Sequence, residues 1–326
     1  MQTMNHHPHF QKLVLKVRQE PPLAAAIVYA CDRDSLQLAL SGEFAGYLAP
    51  TLIGPEAKIR DFAAKAGLNI SRLPIEDTQD DPRLAAMRAI ELAREGKTEA
   101  LIKGSLGIEE LLAPVASADS GLRTEARLTH AYFLDLPFVD RGLLLADAQL
   151  NVNPPLAAKR DIVQNTIYLA TALGVPVPRV GLLAALDGIS PAFPSTTDAQ
   201  ALKEMAAQGV INGATVDGPF TPESALSIEA AQNNGVKSAI AGQVDILIAP
   251  GMEAAQMVLR TLTVMTRGLA AGLVLGAQVP IVVPARSDSM EVRIASCVLA
   301  SLAAARQRAS NQMVRAGAKR PETAAA

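Results

Sequence analysis

Short apolar runs rich in Val, Ile, Leu and Ala alternate with longer amphipathic stretches along almost the whole chain. Runs of three to five apolar residues bounded by turn formers predict strands, and apolar residues at helical spacing predict helices. On this pattern strands are expected at residues 26–29, 51–53, 70–73, 100–102, 131–134, 143–145, 179–183, 214–216, 245–248, 272–275 and 280–283. Helices are expected at residues 34–47, 56–66, 81–95, 156–173, 198–208, 222–233, 253–266 and 290–306. Strands alternating with helices imply an α/β architecture with mostly parallel sheets. The stretch 189–197, rich in Pro, Ser and Thr, reads as a surface loop, and no repeat or compositional break divides the chain.

At 326 residues there is room for about two domains. Hydrophobic residues make up 49% of the chain but aromatics only 3%, so the core has to be built from small aliphatic side chains. Thirty Lys and Arg against thirty-two Asp and Glu leave no basic field for a nucleic-acid backbone. Cys31 and Cys297 are too few and too far apart for a disulfide framework or a zinc site, and read as buried hydrophobes in a reducing cytoplasm. No uninterrupted apolar run reaches membrane-spanning length and the first sixteen residues lack a signal core, so a soluble, cytoplasmic protein without a membrane partner is expected. His6, His7 and His9 read as a solvated, flexible terminus.

Some chemistries lack their residues. There is no Gly-x-Gly-x-x-Gly and no Gly-Lys-Ser/Thr phosphate loop. Gly104-Ser105-Leu106-Gly107 is not a nucleophile elbow, and His130 is the only histidine beyond the N-terminal cluster, which argues against a Ser-His-Asp hydrolase. The most informative stretch is 280–291. A β-branched run ends at Pro284, Arg286 follows, and Ser287-Asp288-Ser289 leads into an amphipathic helix. A capped helix start beside a guanidinium suits a phosphate or phosphoryl group, although Ser and Asp also begin helices that hold no ligand. Lys103-Gly104-Ser105 ends a predicted strand, where loops of parallel sheets meet ligands, but Gly and Ser are also ordinary turn residues. The same two readings apply to Asp147, Asn151 and Asn153 after one strand and to Asp217-Gly218-Pro219 after another. Arg123 and Arg127 flank the start of a further strand and carry the planar fork that suits phosphate.

Taken in order, these pieces resemble the phosphate acetyl/butyryltransferase family. They are Lys103-Gly104, Gly121-Leu-Arg123, Asp147 through Asn151 to Asn153-Pro154, Val216-Asp217-Gly218-Pro219, Ser238 to Gly242, Val244-Asp245, Pro250 to Glu253-Ala254, Val279-Pro280 and Arg286-Ser-Asp-Ser289, and they cover residues 100–308 in register. The resemblance implies two three-layer α/β domains, with residues 133–273 inserted into a first domain of 1–132 plus 274–326 and the active-site cleft between them. It also implies interconversion of a short-chain acyl-CoA and inorganic phosphate with acyl phosphate and CoA, by a homodimer without cofactor or metal, CoA being a substrate. Catalysis would fall to Arg286, with Asp288 or Glu291 handling the proton at sulfur. Phosphate and CoA would be held by Arg286, Ser287, Ser289, Lys103, Gly104, Ser105, Arg127, Asp147, Asn153, Asp217, Gly218, Pro219 and Glu253.

The chain departs from the family pattern where Ser normally precedes the arginine, which here follows Ala285, and where the acetyl branch has an Asp, which here is Val292. Gly251 and Gln256 replace two asparagines, and Ala148 a cysteine. These losses leave open a protein that binds CoA or acyl phosphate without turnover. A metal-dependent dehydrogenase or an acyl-carrier phosphate acyltransferase of related architecture is the other alternative.

Overall fold

A computed structural model describes residues 7–137 and 139–317; His6 lies outside the described residues. In chain order the elements are α1 (Pro8–Val17), β1 (Leu23–Val28), α2 (Arg33–Phe44), β2 (Leu48–Gly54), α3 (Glu56–Ala66), β3 (Ile75–Asp77), α4 (Pro82–Arg94), β4 (Ala100–Lys103) and α5 (Ile108–Ala116). There follow β5 (Thr129–Asp135), β6 (Leu143–Ala146), α6 (Leu156–Ala172), β7 (Arg179–Leu183), α7 (Pro194–Ala207), β8 (Thr215–Phe220), α8 (Pro222–Leu226) and α9 (Ile228–Asn233). The chain closes with β9 (Ile246–Ile248), α10 (Met252–Thr266), β10 (Leu269–Leu275), β11 (Ile281–Val282) and α11 (Met290–Gly317).

The eleven strands form one sheet in the order β3-β2-β1-β4-β11-β10-β5-β6-β9-β7-β8. Parallel pairing runs from β3 to β11 and again from β6 to β8, as the alternating pattern predicts. Between these halves β10 pairs antiparallel with β11 and β5, and β5 antiparallel with β6. The two long central strands therefore join two parallel half-sheets. Alternate residues of β5 serve different layers: Ala131 and Phe133 belong to the larger buried cluster, while Tyr132 and Leu134 pack with Leu143, Leu145, Val258 and Leu262. Small residues bring helices close to the sheet. Ala25 and Ala26 of β1 and Ala85, Ala86 and Ala89 of α4 have no exposed surface, which is how a chain with 3% aromatics fills its core.

Three expectations change. The strand at residues 70–73 is instead a turn in which Leu73 N donates to Ile70 O, and the strand is β3 just after it; both apolar residues are buried, but in a loop. The stretch 189–197 is only partly loop, because Pro194 sits in the first turn of α7, where its missing N–H costs nothing. Pro8 opens a helix rather than a solvated segment: α1 buries Phe10, Leu13 and Val17, Phe10 N donates to the buried Asp135 carboxylate at 2.7 Å, and His9 contacts Val139 O at 3.1 Å. No described helix is long and apolar enough to cross a membrane.

Candidate active site

The junction between β11 and α11 is held from several directions. Ser289 accepts from Val292 N at 3.3 Å and so caps α11. Asp288 folds back, its Oδ2 accepting from Ala285 N at 2.8 Å, while Asp288 N donates to Ala285 O at 3.1 Å. Arg293, buried one turn into the helix, donates from Nε to Asp288 O and from Nη2 to Ala285 O and to Asp34 Oδ2 of α2, each at 3.1 Å. Both ends of the turn 285–288 are thus fixed, and Arg286 projects from its middle. Arg286 is exposed and forms no hydrogen bond or ion pair among the described residues.

Lys103 at the end of β4 faces the same junction. Its ammonium donates to Gly104 O and Leu106 O, both at 3.1 Å. Burial pushes it below the usual lysine range, Arg293 and Arg286 push the same way, and Asp32 and Glu110 oppose them. An anion placed among Arg286, Arg293 and Lys103 would relieve that repulsion. Gly104 lies against the end of β1, where a Cβ would stand 2.5 Å from Val28 O, and Ser105 Oγ donates to Tyr29 O at 2.9 Å. Both therefore fix the loop that carries Lys103. Glu291, in the first turn of α11, has a buried Oε1 with no hydrogen-bond partner among the described residues. A buried carboxylate oxygen without a partner is unusual in a folded protein and sets Glu291 apart from the bonded groups of the turn.

Across β10 lies a second group of side chains. The Tyr132 hydroxyl donates to Gln149 Oε1 at 2.9 Å and its ring stands 4.4 Å from that of His130. Burial raises the Tyr132 phenol to about 12; Asp288 adds to the rise and Arg260 of α10 opposes it, so this group and the Arg286 turn share one electrostatic environment. His130 is buried and pushed down to about 4 by desolvation, against the pull of Asp147.

Asp147 is committed internally. Its Oδ1 accepts from Gln149 N at 2.9 Å and Leu150 N at 3.0 Å, and its Oδ2 from His130 N at 3.1 Å and Asn151 Nδ2 at 2.7 Å. Those four bonds fill a carboxylate's acceptor capacity, so Asp147 shapes the loop after β6. Asn153 is exposed beside the start of α10, where Met252 N donates to Val152 O at 3.0 Å and Glu253 is exposed without a described partner. Gln256, in place of the family's asparagine, donates to Ala148 O.

Arg127 is not at the Arg286 junction. Leu275 pairs with Thr129, and β11 starts opposite Val274 and runs back along β10, so the two arginines stand at opposite ends of that strand. Arg127 is exposed and, with Arg123, Asn151 and Asp161, lines a separate cavity of about 670 Å³. Asp217, Gly218 and Pro219 are farther still, on the edge strand β8 with four strands between it and β10. Burial would raise the Asp217 carboxyl, but hydrogen bonds from Lys203, Ser238 and Gly218 N outweigh it and hold the group below the usual range. The structure thus gives that motif a local bonding role within the chain, away from the Arg286 junction. Sequence reasoning missed Arg293, Asp34, Tyr132, Gln149 and Arg260. Of these only Arg293 carried a signal, a charge four residues after the cap on the buried face of a helix.

Residues 76–301 match the family described as "Phosphate acetyl/butaryl transferase". The chain belongs to this phosphate acetyl/butyryltransferase family. It is 42% identical over 301 residues to the phosphate acetyltransferase of Rhizobium meliloti, spanning 92% of this chain and 95% of that one. It is 32% identical over 300 residues to the phosphate butyryltransferase of Clostridium beijerinckii, spanning 92% and 99%. Among solved structures, a branched-chain phosphotransacylase from Enterococcus faecalis superposes with a TM-score of 0.76 at 25% identity, covering 86% of this chain and 99% of the other. The motif order seen in the sequence is therefore that of an acyltransferase family, with the α/β fold of phosphotransacylases.

Proposed function

We propose that this member of the family interconverts a short-chain acyl-CoA and inorganic phosphate with acyl phosphate and CoA, and that the turn 285–288 is where phosphate binds. The observation that carries the site is Arg286, an unpaired guanidinium held out by a turn that Asp288 and Arg293 fix at both ends. Phosphate bound there presents an oxygen to the thioester carbonyl. The C–O bond forms, the tetrahedral intermediate collapses, the C–S bond breaks and CoA leaves as a thiolate that takes up a proton. Arg286 and Lys103 neutralise the phosphate and orient it, and positioning of the two substrates supplies most of the rate. The open oxygen of Glu291 supports its role in holding the proton exchanged with sulfur. Asp288 supports the turn.

Arg127 and Arg123, a strand's length away, suit the phosphates at the far end of an extended CoA. The exposed Met257, Val264 and Met265 along α10 favour a homodimer, and two buried free thiols favour a reducing cytoplasm. Residues 1–132 plus 274–326 would form one domain and 133–273 the other, with β5 and β10 as the strands between them. CoA enters as substrate, and no cofactor is invoked. Release of thiol from acetyl-, propionyl- and butyryl-CoA tests the reading. Release should require phosphate, and arsenate should replace it with net hydrolysis, because an acyl arsenate decomposes in water. Release without either anion would identify a thioesterase and defeat the proposal.

A further inference from the structure

Lys103 is set by a loop, and that loop is fastened to a residue in a conformation few side chains adopt. Ile102 of β4 pairs with Val282 of β11, so Lys103 ends its strand beside the one that runs out to the Arg286 turn. Its ammonium is held by Gly104 O and Leu106 O, from the residues on either side of Ser105. Ser105 is tied to the end of β1, where Tyr29 O accepts from Ser105 N at 3.0 Å, from Ser105 Oγ at 2.9 Å and from Cys31 N at 2.8 Å. Tyr29 stands at a φ of 54°, in the left-handed region that glycine enters freely and a tyrosine keeps only where its surroundings impose it.

Its side chain supplies that constraint. The ring is buried, and its hydroxyl meets Lys58 of α3 and Asp80 of the segment before α4. The hydroxyl donates to Asp80 Oδ1 at 2.5 Å and accepts from Lys58 Nζ at 2.8 Å, while Lys58 and Asp80 pair with each other at 2.9 Å. An exposed Lys–Asp pair contributes little by itself. This one closes a ring of contacts on a phenol whose backbone carbonyl holds the Lys103 loop. Resting on the phosphate acyltransferase reading above, we infer that Tyr29, Lys58 and Asp80 form a positioning unit for Lys103, holding the Tyr29 backbone in the left-handed conformation that aims its carbonyl at Ser105. All three act through Lys103, and none is a catalytic residue. The coupling is tight at Gly104, where a Cβ would stand 2.5 Å from Val28 O and 2.7 Å from Tyr29 O. The loop lies directly on the strand end, so a shift of Tyr29 passes to it.

Phosphate-dependent thiol release from acetyl-CoA, with phosphate and acetyl-CoA varied in turn, reads this directly. Tyr29→Phe keeps the ring and loses both hydroxyl contacts. It should raise the KM for phosphate by about three- to tenfold and leave the KM for acetyl-CoA within about twofold. Asp80→Ala should do the same, and Asp80→Asn, whose amide oxygen still accepts, should recover most of the loss. Asp80 is exposed, so this pair gives the answer if Tyr29→Phe does not fold. In a Lys103→Ala background Tyr29→Phe should change the phosphate KM by less than about twofold, because the group it positions is gone. Where Lys103→Ala turns over too slowly, the rise of melting temperature with added phosphate gives the same comparison. An unchanged phosphate KM in both Tyr29→Phe and Asp80→Ala overturns the inference. So does a Tyr29→Phe effect of equal size with and without Lys103, or one that falls on both substrates alike, since those are the marks of general loosening. No phosphate-dependent thiol release by the native protein overturns the acyltransferase reading, and the melting comparison then still decides whether Tyr29 acts through Lys103.

Discussion

At the scale of single residues, the site rests on a division of labour within four positions. Arg286 is the only one of residues 285–288 whose side chain is charged and unpaired, and Asp288 is the one that shapes the turn. Arg286→Ala should therefore lower phosphate-dependent turnover by at least about a hundredfold with little change in stability, since the side chain is exposed. Arg286→Lys should recover part of the loss, because an ammonium neutralises charge but lacks the fork. Steady-state rates and thermal melts of the three proteins decide it; near-native turnover in the Ala variant would move the phosphate elsewhere. Asp288 separates two roles. As the acceptor for Ala285 N it should tolerate Asn, whose carbonyl still accepts, and lose about tenfold or more in rate as Ala. If Asn and Ala were equally damaging, Asp288 rather than Glu291 would be the group that exchanges the proton.

At the scale of elements, the tie between α1 and β5 shows how the chain secures a helix that its N-terminal residues would not hold alone. His7 makes no side-chain cap, and the acceptor for Phe10 N comes from Asp135, buried at the end of β5. Asp135→Ala should remove that cap and leave the N–H buried without a partner, destabilising the protein by about 1–3 kcal/mol in urea unfolding, while Asp135→Asn keeps an acceptor and should cost less. Equal stability of Ala and native proteins would mean that α1 is held by Phe10, Leu13 and Val17 alone. This contact also marks the limit of what the chain reveals by pattern. Helices with a clear apolar stripe, such as α4 and α10, are readable from spacing, and the strand ends at Lys103, Asp147 and Arg286 from the β-to-α handover. α1 is obscured by its histidines and its cap from 125 residues away, and α5 by its shortness and by Pro114 inside it. The Arg286 turn is legible because its cap, its proline and its arginine are contiguous. Tyr132 and Arg260 are not, because their relation to Asp288 exists only once β5, β10 and α10 have come together.

At the scale of the whole molecule, one sheet carries both half-sheets, and its central strands β10 and β5 are largely buried and enclose a titratable group. Alternating βα units announce the halves, but the antiparallel central pair follows from long-range pairing that no local signal records. His130 sits in that pair with 1% of its surface exposed and no partner for Nδ1. Desolvation holds it neutral, down to about 4, although the Asp147 carboxylate favours the charged form. The unfolded chain takes up a proton on this histidine near its ordinary value of about 6.5, whereas the folded protein does so only near 4. Between those values the unfolded state binds more protons, so stability must fall as pH is lowered from about 6.5 to about 4, with no contribution from this group above that window. The full difference corresponds to on the order of 3 kcal/mol. His130→Phe keeps a ring against Tyr132 but cannot titrate. Urea unfolding of the two proteins at pH 7.5, 6 and 5 should show the native protein losing stability faster than the variant as pH falls, with parallel behaviour above about pH 7. Identical slopes across the acid range would mean that His130 is protonated in the folded protein, and that Asp147, already hydrogen-bonded to its backbone N–H, outweighs the cost of burying the charge.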